Sequence, residues 1–485
     1  MSLHGSGYQQ MKPSTRVADY FLVVGADDQF DHLMEENAAL VSKVTDLVLR
    51  PHVLDRYPVV DRTDTSFPAG IFVFCHPSGF SISDHALSPS FHSFVHTSES
   101  GARVFGSCLT IYEKLDSTQR SALQEHFPSL ELDPSGATDT SPPSKYYLPK
   151  CLCVTSSLPF VSEIREILCQ IYRISIQPSA VPIERFICNF VDDVPAPVAG
   201  LVDVSYFCGV DSMAEVLFRA PPVGHPRAWS SLPLRPLFEC LSPDNVRTLL
   251  AAVLVERQVV FVSSQFSLLT VCAEAITSLL FPLCWSHVYV PVLPKALLGM
   301  LSAPVPFIVG LHSSFLADAR ESCPQLEALL VHVDENRLEC GFDNAYVENV
   351  APPTLPRRSA VRLTELLEQM GSAAFDNRGA RWETVYLPLF DSAFGNAATP
   401  WVMAGGDGVD EAGDVDAEAN GHHSSERGFS EIAVRRGFMA LFVELLKNYR
   451  RHLVYAGPEG AAQTKSWKRF RADDFLAGGY CTCRV

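Results

Sequence analysis

A chain of 485 residues is too long for one ordinary hydrophobic core, and at about 150 residues per domain it predicts about three lobes. Hydrophobic residues make up 47% and charged residues 19%, which excludes a largely disordered chain. The formal net charge of −17 lacks the basic footprint that phosphates require, so no nucleic-acid partner is expected and the large partners should be proteins.

Residues 17–24 (VADYFLVV) form a β-rich apolar run stopped by Gly25-Ala26-Asp27-Asp28, which predicts a strand and a turn. Further strands are expected at 71–75, 91–95, 103–112 and 147–155, with Ser100-Gly101-Ala102-Arg103 as a hairpin turn between the second and third of these. The stretch 116–145 is polar, and Pro142-Pro143 marks a loop. In 160–173, Val161, Ile164, Ile167, Leu168 and Ile171 fall on one face of a helix. Strands followed by a helix predict a compact α/β lobe over residues 1–175.

Beyond the Pro-rich stretch 177–182 the pattern changes. Ser242-Pro243-Asp244 places a capping hydroxyl, a first-turn proline and an acid at a helix start. That helix should run to about Glu256, followed by Val259-Val260-Phe261-Val262, a continuous β run suited to a sheet buried on both faces. A helix over 266–280, a strand at 287–291, a short helix and a strand at 306–311 complete an α-β-α-β alternation, a layered α/β lobe over 183–335. The longest apolar stretch, Phe266 to Trp285, carries Glu274 and is broken by Pro282, so it reads as buried core and not as a membrane span. Pro304 and Pro306 should fix the loop before the last strand. Residues 336–485 should be mainly helical, with Phe438, Phe442, Leu445 and Tyr449 on one helical face, interrupted by a flexible acidic insertion at 404–426.

The fourteen cysteines sit mostly in apolar runs, as Cys169, Cys188, Cys272 and Cys284 do, where a thiol behaves as a small hydrophobe. The N-terminal sequence MSLHGSGYQQMKPSTR has no apolar secretory core, and together these predict a cytoplasmic protein. Phosphate loops, dinucleotide fingerprints, a G-x-S-x-G elbow, H-E-x-x-H and C-x-x-C are all missing. Cys151 and Cys153 would face one side of a strand, which we read as core packing and not as a metal site; Cys481-x-Cys483 and His422-His423 also suggest no metal. No catalytic residue, cofactor or metal is therefore expected.

Several segments nonetheless resemble the DENN domain family. Residues 67–79 (FPAGIFVFCHPSG), 91–108 (FHSFVHTSESGARVFGSC) and 147–160 (YLPKCLCVTSSLPF) are similar to its upstream part. Residues 241–263 and 281–315, with the segment APVPFIVGLHSS, are similar to its central part, and Val331-His332-Val333-Asp334 to the strand that follows. Residues 438–455 and 466–476 resemble the start of its helical downstream part. The resemblance implies a longin-like N-terminal lobe, a central α/β lobe and a helical part. The last is expected to be shortened, because the chain ends soon after 476. It also implies a guanine-nucleotide exchange factor for a Rab-type small GTPase in vesicle trafficking, located in the cytoplasm or peripherally on endosomal or vesicle membranes. A non-catalytic adaptor on the same fold is the alternative. An exchange factor stabilises the nucleotide-free partner over the loaded one and needs no nucleophile of its own.

Open α/β sheets place their sites beyond the strand ends, which singles out His312, Ser313 and Ser314 after strand 306–311. Arg257, between a helix and a strand, and Arg103, at the hairpin turn, are the other GTPase-binding candidates. Each has a local alternative: hydrogen bonds to loop backbone for the 312–314 group, a paired helix-end arginine, and a solvated turn residue. Lys447, Arg450, Arg451, Lys468 and Arg469, with Lys465 and Arg471, form a basic C-terminal group in an acidic chain. Contact with an anionic membrane is one reading, at about 1 kcal/mol per basic residue near the surface. Favourable placement of the first three at a helix C-terminus is the other.

Overall fold

The computed structural model describes residues 15–26, 44–127, 146–345, 357–371 and 430–447, apart from short internal gaps, and the backbone of 2–3, 453–456 and 467–470. In chain order the strands are β1 (Ser2–Leu3), β2 (Tyr20–Gly25), β3 (Val48–Leu49), β4 (His52–Tyr57), β5 (Phe80–Ser81), β6 (Ser90–Thr97), β7 (Arg103–Lys114) and β8 (Tyr147–Ser156). After them come β9 (Val204–Cys208), β10 (Ala214–Phe218), β11 (Val259–Ser263), β12 (Leu283–Cys284), β13 (Val288–Val290), β14 (Phe307–His312), β15 (Leu329–His332), β16 (Arg337–Cys340), β17 (Leu453–Ala456) and β18 (Trp467–Phe470). The α-helices are α1 (Phe72–Cys75), α2 (Ser117–His126), α3 (Val161–Ile176), α4 (Ile183–Cys188), α5 (Arg235–Cys240), α6 (Pro243–Leu254), α7 (Phe266–Ser278), α8 (Leu316–Ser322), α9 (Arg357–Gly371) and α10 (Glu431–Leu446).

The N-terminal lobe is an antiparallel sheet in the order β4-β2-β8-β7-β6. One face carries Phe21, Leu109, Leu152 and Val154 and meets the apolar stripe of α3, with Ile164, Ile167, Leu168 and Ile171 all buried. The β9–β10 hairpin contributes Val216 and Phe218 to this cluster. The opposite face, with Tyr20, Leu22, Val24 and Phe94, belongs to the core of the central lobe.

That central lobe is a mixed sheet in the order β13-β14-β11-β15-β16, four parallel strands and one antiparallel edge. Strand β11 is buried along its whole length, as its unbroken apolar run predicts for a middle strand. Val259 and Phe261 point to the core shared with the N-terminal lobe; Val260 and Val262 point to a second layer with Leu298, Leu301, Phe315 and Ala319. Helix α6 starts as its sequence predicts, with the Ser242 hydroxyl accepting from the Asn245 N–H at 3.3 Å and proline in the first turn. Helices α9 and α10 close over the far side of the shared core with Leu363, Leu367, Val434, Phe438, Leu441 and Phe442. The α/β class, with an antiparallel N-terminal sheet, a central sheet layered with helices and helices towards the C-terminus, is as expected.

Two local expectations are corrected, and one helix lies where none was foreseen. Residues 71–75 are not a strand: Phe72–Cys75 is one helical turn, with Gly70 (φ +76°) before it and Gly79 (φ +80°) after it turning the chain. A run of five apolar residues carries too little periodicity to separate the two states. Within the polar stretch 116–145, residues 117–126 are helical, because Asp116 and Gln119 form a reciprocal capping box. The segment resembling downstream helix at 466–476 contains β18, which pairs antiparallel with β17 in the register Val454↔Arg469 and Tyr455↔Lys468. The acidic insertion 404–426 and Tyr449 lie outside the described residues.

Gly310 marks the closest backbone approach in the central sheet: a Cβ there would lie 1.9 Å from the Pro291 carbonyl oxygen. Gly310→Ala should therefore lower the unfolding free energy by about 3 kcal/mol or prevent folding, since a packed interior has no room to give. Gly299→Ala, where no atom lies within 4 Å of the added Cβ, should leave the urea midpoint in place. Equal midpoints for both variants would contradict the packing described.

Candidate functional site

The parallel strands β11, β14 and β15 end in Ser263, His312 and His332, so polar side chains gather beyond their carboxyl ends. Asp334 organises one side: its carboxylate accepts from the Ser263 hydroxyl at 2.7 Å and from the Ser264 N–H at 2.6 Å. The Ser263 hydroxyl in turn accepts from the Gln265 N–H at 3.1 Å, easing the chain into α7. His312 bridges the other side. Its Nε2 lies 2.8 Å from the Ser264 carbonyl oxygen, its Nδ1 lies 2.7 Å from the Ser314 hydroxyl, and the Ser314 N–H reaches Nδ1 at 3.3 Å.

A carbonyl only accepts, so Nε2 carries the proton and Nδ1 is the acceptor, capping the short helical turn Ser313–Phe315. The ring stacks on Phe266 at 4.5 Å between centroids, and burial lowers its pKa. Serine, histidine and aspartate meet here without forming a nucleophile and base. Both imidazole nitrogens of His312 are committed to loop backbone and a capping hydroxyl, and the Asp334 carboxylate holds the Ser263 hydroxyl and the Ser264 backbone. Of the three residues, Ser314 is exposed and His312 and Ser313 are half-buried.

Arg257 lies at the opposite end of the sheet, just before β11. The turn is closed by Glu256 in the left-handed region (φ 58°) and by the Arg257 N–H donating to the Ala252 carbonyl at 3.0 Å. The side chain of Arg257 is exposed and makes no ion pair among the described residues, so it is not the locally paired arginine of the alternative. Its neighbour Gln258 straps the Pro304 loop by donating to the Ala303 and Val305 carbonyls at 2.8 and 3.0 Å. Glu256 meets His287 at 3.2 Å.

Arg103 sits on the same side, in the seam between the lobes. Its guanidinium donates to the Trp285 carbonyl at 3.4 Å and lies 5.0 Å from the centre of the Tyr289 ring. The Tyr289 hydroxyl donates to the Glu274 carboxylate at 2.6 Å. Burial raises the pKa of that carboxyl, and the Arg103 charge opposes the rise. Arg103 is thus committed to the lobe seam instead of standing in solvent at a turn. The structure brings Arg103 near the Arg257 end and leaves His312, Ser313 and Ser314 at the far end of β11, five residues or about 16 Å away.

Of the basic group, Lys447 caps α10 at its C-terminus and is exposed, beside Glu444 at 4.0 Å. Lys468 and Arg469 fall on β18, while Arg450, Arg451, Lys465 and Arg471 lie outside the described residues. Among the described residues no helix is long and apolar enough to cross a membrane.

One grouping was illegible in the sequence. Cys75 of α1, Cys108 of β7 and Cys151 of β8 bring their sulfurs within 4.8 Å of one another inside the core. Cys153 stands opposite Cys108 in the β7–β8 register. Burial pushes the Cys108 thiol well up and the nearby His76 imidazole down to about 4. Only the spacing of Cys151 and Cys153 signalled any of this. Cys75 and Cys108 are distant in sequence, and sheet pairing alone unites them.

Comparison with family models gives two matches in chain order. The uDENN domain matches residues 51–111, and the DENN (AEX-3) domain matches residues 147–336. Together they span a little over half of the chain. The first covers β4 to β7; the second begins at β8, in the middle of the N-terminal sheet, and runs through the central lobe to the turn after β15.

Because the folded state holds His312 neutral, it resists protonation more than the unfolded chain does. The His312 contribution to stability should be fully present above about pH 6.5, the unfolded-state value, and should be lost as the pH falls below it. His312→Asn keeps a capping side chain that does not titrate, so unfolding curves between pH 7 and pH 5 should show a shallower loss for the variant. Identical slopes would contradict the neutral cap.

Proposed function

The chain belongs to the DENN domain family, and on that premise we propose that it is a guanine-nucleotide exchange factor that binds a Rab-type small GTPase and promotes GDP release in vesicle trafficking. The observation that carries the proposal is the pair of family matches in order over one two-lobed body, since DENN domains are generally modules for Rab exchange. The polar groups at the strand ends fit this role. They hold loops in place and leave the chemistry to the partner, whose own site binds the nucleotide.

Exchange by this route is differential binding. The surface must hold the nucleotide-free GTPase more tightly than the loaded one, and the preference sets the greatest acceleration it can give. A rigid platform suits that task, because energy spent on ordering the exchange factor would be subtracted from the preference. On this proposal the N-terminal lobe is longin-like and the GTPase lies against the junction of the lobes. Arg257, exposed and unpaired, offers a charge to an acidic switch segment. Ser314 is exposed at the other end of the sheet, where its hydroxyl, which donates to His312, can still accept from a partner, and Arg103 supports the seam from within. The basic C-terminal segment around Lys447, Lys468 and Arg469 would bring the protein to an anionic membrane where such GTPases reside.

Release of a fluorescent GDP analogue from a panel of Rab GTPases, measured with and without anionic liposomes, tests the reading. Accelerated release from at least one Rab is expected. Arg257→Glu should slow it about tenfold, equivalent to about 1.4 kcal/mol. Binding to a nucleotide-free Rab without acceleration would transfer the protein to the adaptor class, and neither binding nor acceleration by any Rab would overturn the proposal.

A further inference from the structure

We infer that the amino end of the parallel strands, and not the carboxyl end, is the surface on which the GTPase docks, and that it takes an apolar segment bearing one carboxylate. The inference rests on the exchange reading and assigns the contact to one of the two strand ends. Three valines are exposed there: Val255 (40%) where α6 ends, Val288 (37%) at the start of β13, and Val305 (42%) just before β14. Pairing and side-chain contacts tie them to one place. Val288 stands opposite Phe307, two residues beyond Val305. The Gln258 amide donates to the Val305 carbonyl at 3.0 Å, and Glu256, next to Val255, lies 3.2 Å from His287, next to Val288. At the carboxyl end, among the described residues 263–266, 312–316 and 332–334, no large apolar side chain is exposed.

Protein interfaces set an apolar centre around few charges, and arginine is favoured among them. Arg257 supplies that charge. It is exposed, makes no ion pair among the described residues, and follows Glu256, whose carboxylate is engaged with His287. The charge left for a partner in this patch is therefore positive, and a carboxylate complements it.

The backbone gives an independent sign. Where α6 ends, the Arg257 N–H donates to the Ala252 carbonyl at 3.0 Å and the Glu256 N–H to the Val253 carbonyl at 3.1 Å. The left-handed residue of such a helix-ending turn is usually glycine, yet here it is Glu256, at φ 58°. A glutamate held in a conformation that glycine adopts more easily points to a use for its side chain. Through His287 that side chain joins the two halves of the patch, the end of α6 with Val255 and Arg257 and the start of β13 with Val288. Glu256 is thus a positioning residue, and the valines and Arg257 are the contact.

The test takes a Rab whose GDP release the unaltered full chain accelerates and measures the affinity of its nucleotide-free form for variants. Val288→Asp combined with Val305→Asp should weaken binding about tenfold while unfolding stays cooperative, and Ser314→Ala should stay within about twofold of the unaltered chain. Glu256→Gly should weaken binding about fivefold while its urea midpoint holds or rises, because glycine suits the turn. A merely structural glutamate would instead lower the midpoint and leave the affinity alone. Unchanged affinity in the valine pair, or a loss with Ser314→Ala as large as theirs, would overturn the inference and leave exchange activity standing. Failure of the unaltered chain to bind any Rab would overturn the exchange reading itself, and the inference with it.

Discussion

Burial of helix α7 between two sheets is the constraint from which the rest of the architecture follows. None of its residues is exposed. Leu268, Leu269, Cys272, Ala273 and Ile276 all belong to the core shared by both lobes. The Thr270 hydroxyl donates to the Ser93 carbonyl of β6, and Glu274 accepts from Tyr289 of β13. A helix that is apolar all round must be covered all round, and each fully buried leucine contributes about 2 kcal/mol. Two lobes that would each present an apolar face are thereby joined through one element, which accounts for the longest apolar stretch of the chain.

With α7 between the sheets, polar groups gather at the two ends of the parallel strands. At the carboxyl end, Ser263, His312, Ser314 and Asp334 are consumed in mutual bonds that shape loops. At the amino end the seam is sealed by Arg103, Tyr289 and Glu274, whose buried carboxyl, its pKa raised by burial, is held by the Tyr289 hydroxyl with the Arg103 guanidinium nearby. Around both ends the outer surface of the two lobes is open to a partner. The proposed exchange role would use such a surface.

Much of this was legible in the chain, and the reasons differ by element. Helix α3 announced itself by Ile164, Ile167, Leu168 and Ile171 on one face, a pattern long enough to exclude the strand period, whereas β11 was marked by its β-branched and aromatic composition and not by its period. The start of α6 was written in Ser242 and Pro243. Helix α1 was not legible, since its four residues show no period and two positive-φ glycines outside it set the path. Helix α2 hid in a polar stretch whose only sign was Asp116 with Gln119 three residues on. At the candidate site, sequence order could place His312 after a strand but not show that both ring nitrogens are taken. Nor could it show that Arg103 turns into the seam while Arg257 stays in solvent, because tertiary packing decides which polar group finds a partner.

On the proposed function, the two lobes form one platform whose outer strand ends receive a nucleotide-free GTPase. Hydrogen–deuterium exchange on the full chain, with and without a nucleotide-free Rab, tests it most directly. The account predicts new protection at 255–258 or 312–316, with α7 already protected in the free protein and unchanged on binding. Rapid exchange through α7 in the free protein, or protection confined to segments remote from both strand ends, would contradict it.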